Sequence, residues 1–122
     1  MATRIYPIWH CGKKIFFTDW SNLLEVDEAL KAIEQTTSFV EKNNEYNLLE
    51  LLDVRGSYSS PKVFLALKDA GKRTKPYSQK KAIVGITGSK RILLKAVNRF
   101  INGNIKGFED IEEAKSWLSS DN

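Results

Sequence analysis

The residues with the clearest chemical potential lie between Asp53 and Pro61, where an arginine, a glycine and three serines follow an acid. The apolar run before Asp53 predicts a buried strand, and Pro61 suits the first turn of a helix. In open α/β sheets the functional crevice lies outside the carboxyl ends of the strands. We therefore predict a partner- or ligand-binding site at this loop, formed by Asp53, Arg55, Gly56, Ser57 and Tyr58, with Lys62 on the following helix.

Three serines of this loop, Ser57, Ser59 and Ser60, are candidate phosphorylation sites. A phosphate adds about two negative charges, and here it would lie near a helix N-terminus, which favours anions. Arg55 could pair with that phosphate. A structural alternative stays open for two of the residues: Ser60 suits a helix N-cap, and Asp53 suits a turn acid that accepts hydrogen bonds from backbone N–H groups.

A second candidate site lies where an apolar strand meets a helix, at Gly88, Ser89, Lys90 and Arg91. Free N–H groups at the helix start, with cations beside them, could receive an anion. The spacing is not that of a P-loop, so the glycines could equally serve a tight turn. Trp20 follows an earlier strand and could form an apolar wall of a ligand pocket, or could cover the first helix instead.

Metal and nucleophile chemistry have little support in the sequence. The single histidine, His10, lies beside the single cysteine, Cys11, in a predicted turn. No second histidine completes a base relay or a typical zinc site. We predict no catalytic residue, metal or cofactor, and hence no enzyme. The lack of an apolar span, of a secretory signal and of a cysteine pair predicts a cytoplasmic protein with no transmembrane segment.

Charge is distributed unevenly along the 122 residues, whose net charge is +4. Residues 54–108 carry 13 basic side chains and a single acid, Asp69, whereas both ends of the chain are acidic. Such a segment could face an anionic partner, or it could form basic helix faces beside acidic helices. The basic loop around Tyr77 has no stacking platform or nucleic-acid motif, so nucleic acid is not a predicted partner.

The order of predicted elements is β-β-α-β-α-β-α-β-α in a single domain over residues 1–122. A short connection after the first strand predicts an antiparallel hairpin, with Pro7 placing that strand at an edge. The later alternation predicts an α/β fold with a mostly parallel central sheet of about five strands and four helices. Gly71 is predicted to end the second helix, and Phe100 is predicted to lie on the buried stripe of the third.

Three stretches, LLELLDVRG, KPYSQKKAIVGITGSKRILLKAVNRF and FEDIEEAKSWL, resemble the SpoIIAA-like branch of the STAS superfamily. The resemblance covers nearly the whole chain and implies a small cytoplasmic, prokaryotic α/β domain related to anti-sigma-factor antagonists. The better-known antagonists carry a phosphorylatable serine after an Asp-Ser pair, followed by glycine. Here the matching stretch is Asp53-Val54-Arg55-Gly56-Ser57, which departs from that pattern.

Two functions follow as expectations. The first is a non-catalytic regulatory module that binds another protein through these loops and the second helix, in the manner of an anti-sigma-factor antagonist. The second is a binder of a small anionic metabolite or lipid headgroup, with Trp20 and Tyr58 as apolar walls, because the family resembles lipid-carrying SEC14 domains. An enclosed pocket lined by Trp20 would favour the ligand, and an exposed second helix would favour a protein. The edge strand also allows a homodimer.

Overall fold

A computed structural model describes residues 4–121 of the chain as five strands and four α-helices, with one short 3₁₀ turn. In chain order the elements are β1 (Ile5–His10), β2 (Lys13–Asp19), α1 (Val26–Asn43), β3 (Leu48–Asp53), α2 (Pro61–Thr74), the 3₁₀ turn (Lys75–Tyr77), β4 (Ser78–Val84), α3 (Lys90–Ile101), β5 (Lys106–Phe108) and α4 (Ile111–Ser119).

The strands form one sheet in the order β1-β2-β3-β4-β5. β1 runs antiparallel to β2, and each later neighbour pair is parallel. This arrangement confirms the predicted α/β fold class and its N-terminal hairpin. The edge position predicted from Pro7 is also confirmed, since β1 ends the sheet. All six residues of the central strand β3 are buried, as its near-continuous apolar run predicted.

Three helices cover one face of the sheet and a single helix covers the other. The larger core joins residues of α1, α2 and α3 to Leu52 and Ile83 of the sheet. The opposite core joins Ala114 and Leu118 of α4 to Leu51 and other sheet residues. Right-handed crossovers that always advance toward the same edge place their helices on the same face, which explains the three-helix layer.

Two predictions about the helices need correction. Helix α2 does not end at Gly71 but continues to Thr74. Gly71 instead permits a close helix contact, because a Cβ atom there would lie 3.3 Å from Cδ1 of Ile101 on α3. Phe100 is 51% exposed, and the buried residues of α3 are Val97 and Ile101. Among residues 4–121, no helix has the length and apolar character needed to cross a membrane.

Basic side chains near the end of α2 connect the three helices of the larger layer. Arg73 donates hydrogen bonds to Glu34 and Glu41 of α1, with the shortest contacts at 2.8 and 2.6 Å. Lys75 Nζ, directly after α2, donates to the carbonyl oxygens of Ile101 and Asn102 at 2.9 and 2.7 Å. The helices are therefore tied to one another at the end of the layer remote from the carboxyl ends of the strands.

The Arg73 cluster makes stability depend on acid pH. Hydrogen bonds from Arg73, and then from Ser38, lower the pKa of Glu34 from 4.5 to about 2. A carboxyl whose folded-state pKa is depressed stabilises the fold fully above its unfolded pKa, and that contribution is lost as pH falls from about 4.5 toward 2. Arg73→Met should lower the free energy of unfolding by about 1 kcal/mol at pH 7, because an exposed ion-pair network contributes little more than that. It should also make the free energy of unfolding depend less on pH in the acid range.

Arg99→Met is the matched control for this prediction, because Arg99 is exposed and forms no ion pair within residues 4–121. Urea unfolding from pH 7 to pH 2.5 measures both variants. An acid slope for Arg73→Met that equals that of the parent protein would contradict the assignment of this slope to the cluster.

Candidate functional site

The loops that follow β2 and β3 are joined by backbone hydrogen bonds. The amide of Trp20 donates to the carbonyl oxygen of Asp53 at 2.9 Å, and that of Asn22 donates to the carbonyl oxygen of Arg55 at 3.0 Å. The amide of Tyr58 donates to Leu23 O at 2.9 Å. The two loops thus form one connected surface beyond the carboxyl ends of the strands, the edge at which the sequence predicted a site.

The three candidate serines have different surroundings. The hydroxyl of Ser57 donates to the carbonyl oxygen of Trp20 and accepts from the amide of Leu23 at 2.9 Å. Ser60 is the N-cap of α2 and accepts from the amide of Val63 at 3.2 Å. Ser59 is half-buried. Phosphorylation of Ser57 would replace two bonds that hold the loops together, and phosphorylation of any of the three serines stays a prediction.

Asp53 is buried and holds Arg55 in place. Its Oδ1 accepts from the backbone amide and from Nε of Arg55, both at 3.0 Å, and its Oδ2 accepts from an outer guanidinium nitrogen at 2.9 Å. The carboxylate therefore acts as the turn acid that the sequence allowed, and it also fixes a half-exposed cation at the surface. Gly56 follows with φ of +76°, a conformation that favours glycine.

The loop after β4 contributes fewer residues to this surface. Lys90 Nζ donates to the carbonyl oxygen of Ser57 at 3.1 Å, which connects α3 to the β3 loop. Arg91 is turned toward Glu109, 3.0 Å away, and Ser89 makes no side-chain capping bond. Lys62 lies exposed on the first turn of α2. The structure thus groups Trp20, Asp53, Arg55, Gly56, Ser57, Tyr58 and Lys90, and it places Arg91 apart from them.

Gly85 provides a test of the close contact between the β3 and β4 loops. Its φ is +103°, and a Cβ atom there would lie 2.8 Å from the backbone nitrogen of Arg55. Gly85→Ala should therefore destabilise the fold by about 2–3 kcal/mol, the upper part of the usual range for backbone strain, because the clash adds to the unfavourable φ. The matched control is Gly88→Ala, where φ is +55° but nothing lies within 4 Å, and we expect a smaller cost of about 1 kcal/mol. Equal losses in urea unfolding would contradict the steric argument.

A cavity of about 110 Å³ lies between the three-helix layer and the sheet. Its walls are almost wholly apolar and include Ile33 of α1, Val63 of α2, Leu94 of α3, and Leu52 and Ile83 of the sheet. The lining also reaches Ser57 and Tyr58 in the β3 loop and Lys90 at the start of α3, so the cavity extends from the predicted crevice into the layer. The crevice is therefore one end of a deeper apolar space.

Trp20 lies in the wall of this cavity. Its side chain is buried, and its indole Nε1–H donates to the hydroxyl of Thr36 on α1 at 3.0 Å. The ring thus does both things that the sequence allowed: it lines a pocket and it covers the first helix. Tyr58 also contributes to the lining, but it is 59% exposed and lies at the outer end.

A buried polar cluster lies in the cavity wall away from the loops. Lys81 Nζ on β4 lies 3.7 Å from Oε2 of Glu50 on β3 and donates to the hydroxyl of Thr74 at 2.7 Å. The hydroxyl of Ser78 donates to the same Glu50 oxygen. Burial raises the pKa of Glu50, although the charge of Lys81 opposes this effect.

Sequence reasoning missed this cluster. Glu50 interrupts the apolar run LLELLD, and a single acid inside a strand that is otherwise apolar was the available signal. The partner is harder to find, because Lys80 and Lys81 are adjacent and only the strand register decides which one faces the helices. Within residues 4–121, no three His, Cys, Asp or Glu side chains come close enough together to hold a metal ion.

The comparisons with known proteins identify a family and a fold. A family model described as SpoIIAA-like matches residues 15–119. The crystal structure of an uncharacterized protein with a SpoIIAA-like fold from Shewanella loihica PV-4 is 19% identical, and the match covers 93% of this chain and 91% of that chain with a TM-score of 0.69. At this identity the likeness concerns the fold alone. None of the curated proteins matches. The chain thus belongs to the SpoIIAA-like family and has a STAS-type fold, as its motifs predicted.

Proposed function

We propose that this protein is a non-catalytic STAS-type module that binds a small, mostly apolar ligand in the cavity beneath α1, α2 and α3. The observation that carries the proposal is the cavity itself, which Trp20 lines and which continues into the loops at the strand ends. Well-packed interiors rarely leave voids larger than a water molecule. Ligand pockets are concave, mostly apolar and equipped with a few polar groups, as this one is.

The size of the cavity sets the scale of the ligand. An engineered apolar cavity of about 150 Å³ stays dry and binds benzene or xenon. A space of about 110 Å³ is smaller than that and therefore suits a body of at most about six heavy atoms, the size of benzene, and a longer molecule would extend past Tyr58 into solvent. The loop residues would then contact whatever part of the ligand leaves the cavity.

A benzene titration followed by amide NMR tests this proposal. We expect saturable shifts at lining residues of α1, α2 and the sheet. Ala70→Leu adds volume to the cavity wall and should weaken benzene binding at least about tenfold, since overpacking and ligand compete for one space. Ala96→Leu is the matched control on the exposed face of α3 and should leave binding unchanged. No saturable shift, or equal binding by both variants, would refute the proposal.

A regulatory module that binds another protein is the second candidate, favoured by exposed apolar side chains on the three-helix layer. Leu65 of α2 is 61% exposed and Ile92 of α3 is 70% exposed, within the basic part of the chain. Such a surface fits a partner with apolar and acidic groups. A photo-crosslinking residue at position 65 should then capture one partner in cells, whereas the same residue at exposed Tyr46, at the other end of the sheet, should not.

A further inference from the structure

Glu50 and Lys81 are paired in register on the two central strands, and both lie in the cavity wall. Their side chains face the layer of α1, α2 and α3, where Thr74 is also in contact. A buried ion pair is costly to place in an apolar interior, and its remaining donors and acceptors need partners. The donors and acceptors of this pair that form no hydrogen bond within the described part of the protein would therefore gain from a ligand that supplies one.

The hydrogen bonds of the pair leave donors of Lys81 and an acceptor of Glu50 without a partner in the part of the chain that the structure describes. An ammonium has three donors, and Lys81 Nζ gives one to Thr74. The contact of 3.7 Å to Glu50 is too long for a hydrogen bond. On Glu50, the Ser78 hydroxyl reaches Oε2, and within residues 4–121 no hydrogen bond reaches Oε1. Oε1 of Glu50 and the remaining N–H groups of Lys81 are therefore available, and both residues belong to the wall of the cavity.

The charge of the pair restricts what can bind there. Glu50 and Lys81 cancel, so an anionic or cationic ligand would bring a net charge into a space with apolar walls, which is costly. A hydroxyl group is neutral and both donates and accepts. We propose that the ligand is a small neutral alcohol, an apolar body with one terminal hydroxyl, which donates to Glu50 and accepts from Lys81. This inference rests on the proposed function and differs from the anionic ligand expected from the sequence, which stays a prediction.

Three molecules of one chain length test the proposal, namely 1-pentanol, pentanoate and pentylamine, each titrated against the protein by amide NMR. We expect 1-pentanol to bind at least about tenfold more tightly than either ion, with shifts at Glu50 and Lys81. An apolar pocket without a specific polar contact would also prefer the neutral molecule. Variants of Glu50 and Lys81 are therefore needed to distinguish a specific hydrogen bond from a general preference for the neutral molecule.

Glu50→Gln keeps the size of the side chain but leaves the charge of Lys81 unpaired. Pentanoate should then bind about ten- to a hundredfold more tightly than it binds the parent protein, because a charged hydrogen bond replaces a repulsion. The double variant Glu50→Met with Lys81→Met removes both polar groups. Relative to its own affinity for benzene, it should bind 1-pentanol about tenfold more weakly than the parent protein does.

The outcomes separate the two proposals. If benzene does not bind the parent protein, the proposed function fails. If benzene binds but Glu50→Gln binds pentanoate no more tightly than the parent protein does, only the alcohol assignment is overturned. If Glu50→Gln does not fold, the double variant decides, and unchanged affinity of that variant for 1-pentanol relative to benzene overturns the assignment.

Discussion

Lys81→Met is expected to destabilise the protein by about 3–5 kcal/mol, the usual cost of removing one partner of a buried ion pair. The substitution removes the only basic side chain that lies within 4 Å of the Glu50 carboxyl in residues 4–121. Burial already raises the pKa of Glu50, so the carboxyl without its partner would take up a proton more readily still. Urea unfolding at pH 7 measures the loss.

Two controls identify the cause of this loss. Glu50→Met together with Lys81→Met should lie within about 1–2 kcal/mol of the parent protein, because apolar replacements of a buried pair are often neutral or stabilising. The penalty of Lys81→Met should also shrink as pH falls toward the ordinary pKa of 4.5, since a raised folded-state pKa disfavours only the charged carboxyl. A pH-independent loss that the double variant shares would contradict the ion-pair explanation.

Trp20→Ala is the second substitution with a large expected effect, again about 3–5 kcal/mol. The ring is 6% exposed and packs in the larger core, so its removal creates a cavity next to the existing one. The enlarged space should also accept ligands larger than benzene. Chemical denaturation measures the first effect, and NMR titration with naphthalene measures the second.

Trp20→Phe separates packing from hydrogen bonding. It keeps an aromatic ring but removes the indole N–H that donates to Thr36, and we expect a loss of about 1–2 kcal/mol from that bond and from the smaller ring. The Thr36 hydroxyl keeps its own bonds to the carbonyl oxygens of Ala32 and Ile33. A loss as large as that of Trp20→Ala would show that the hydrogen bond, and not the volume of the ring, dominates.

Local patterns were sufficient to predict the fold. Alternating apolar strands and amphipathic helices set the order of elements, and Ser60 with Pro61 marked the start of α2. The sequence places the end of α2 at Gly71 because glycine commonly ends helices. In the structure Gly71 lies inside the helix, and its lack of a side chain allows α2 to pack closely against Ile101. Contacts that decide such cases join residues distant in sequence, and one sequence does not reveal them.

The candidate site that the structure suggests could be anticipated from the sequence only in part, for a topological reason. The rule that places ligands at the carboxyl edge of a sheet applies where the strand order reverses. Here the order runs from β1 to β5 without reversal, so no helices diverge to opposite faces along the parallel strands. The space instead lies beneath the helices, and its polar group comes from Glu50 and Lys81 in mid-strand.

The bonds of Arg73 and Lys75 bear on how quickly a molecule could enter and leave. They fasten α1 to α2 and α2 to α3 at one end of the layer. At the other end, the hydrogen bond that connects α3 to the β3 loop within residues 4–121 runs from Lys90 to the carbonyl oxygen of Ser57. The helices would then move apart at the loop end, while the end held by Arg73 and Lys75 stays together. Exchange rates would follow the strength of the Lys90 contact, while the fastened end would fix how far the helices spread.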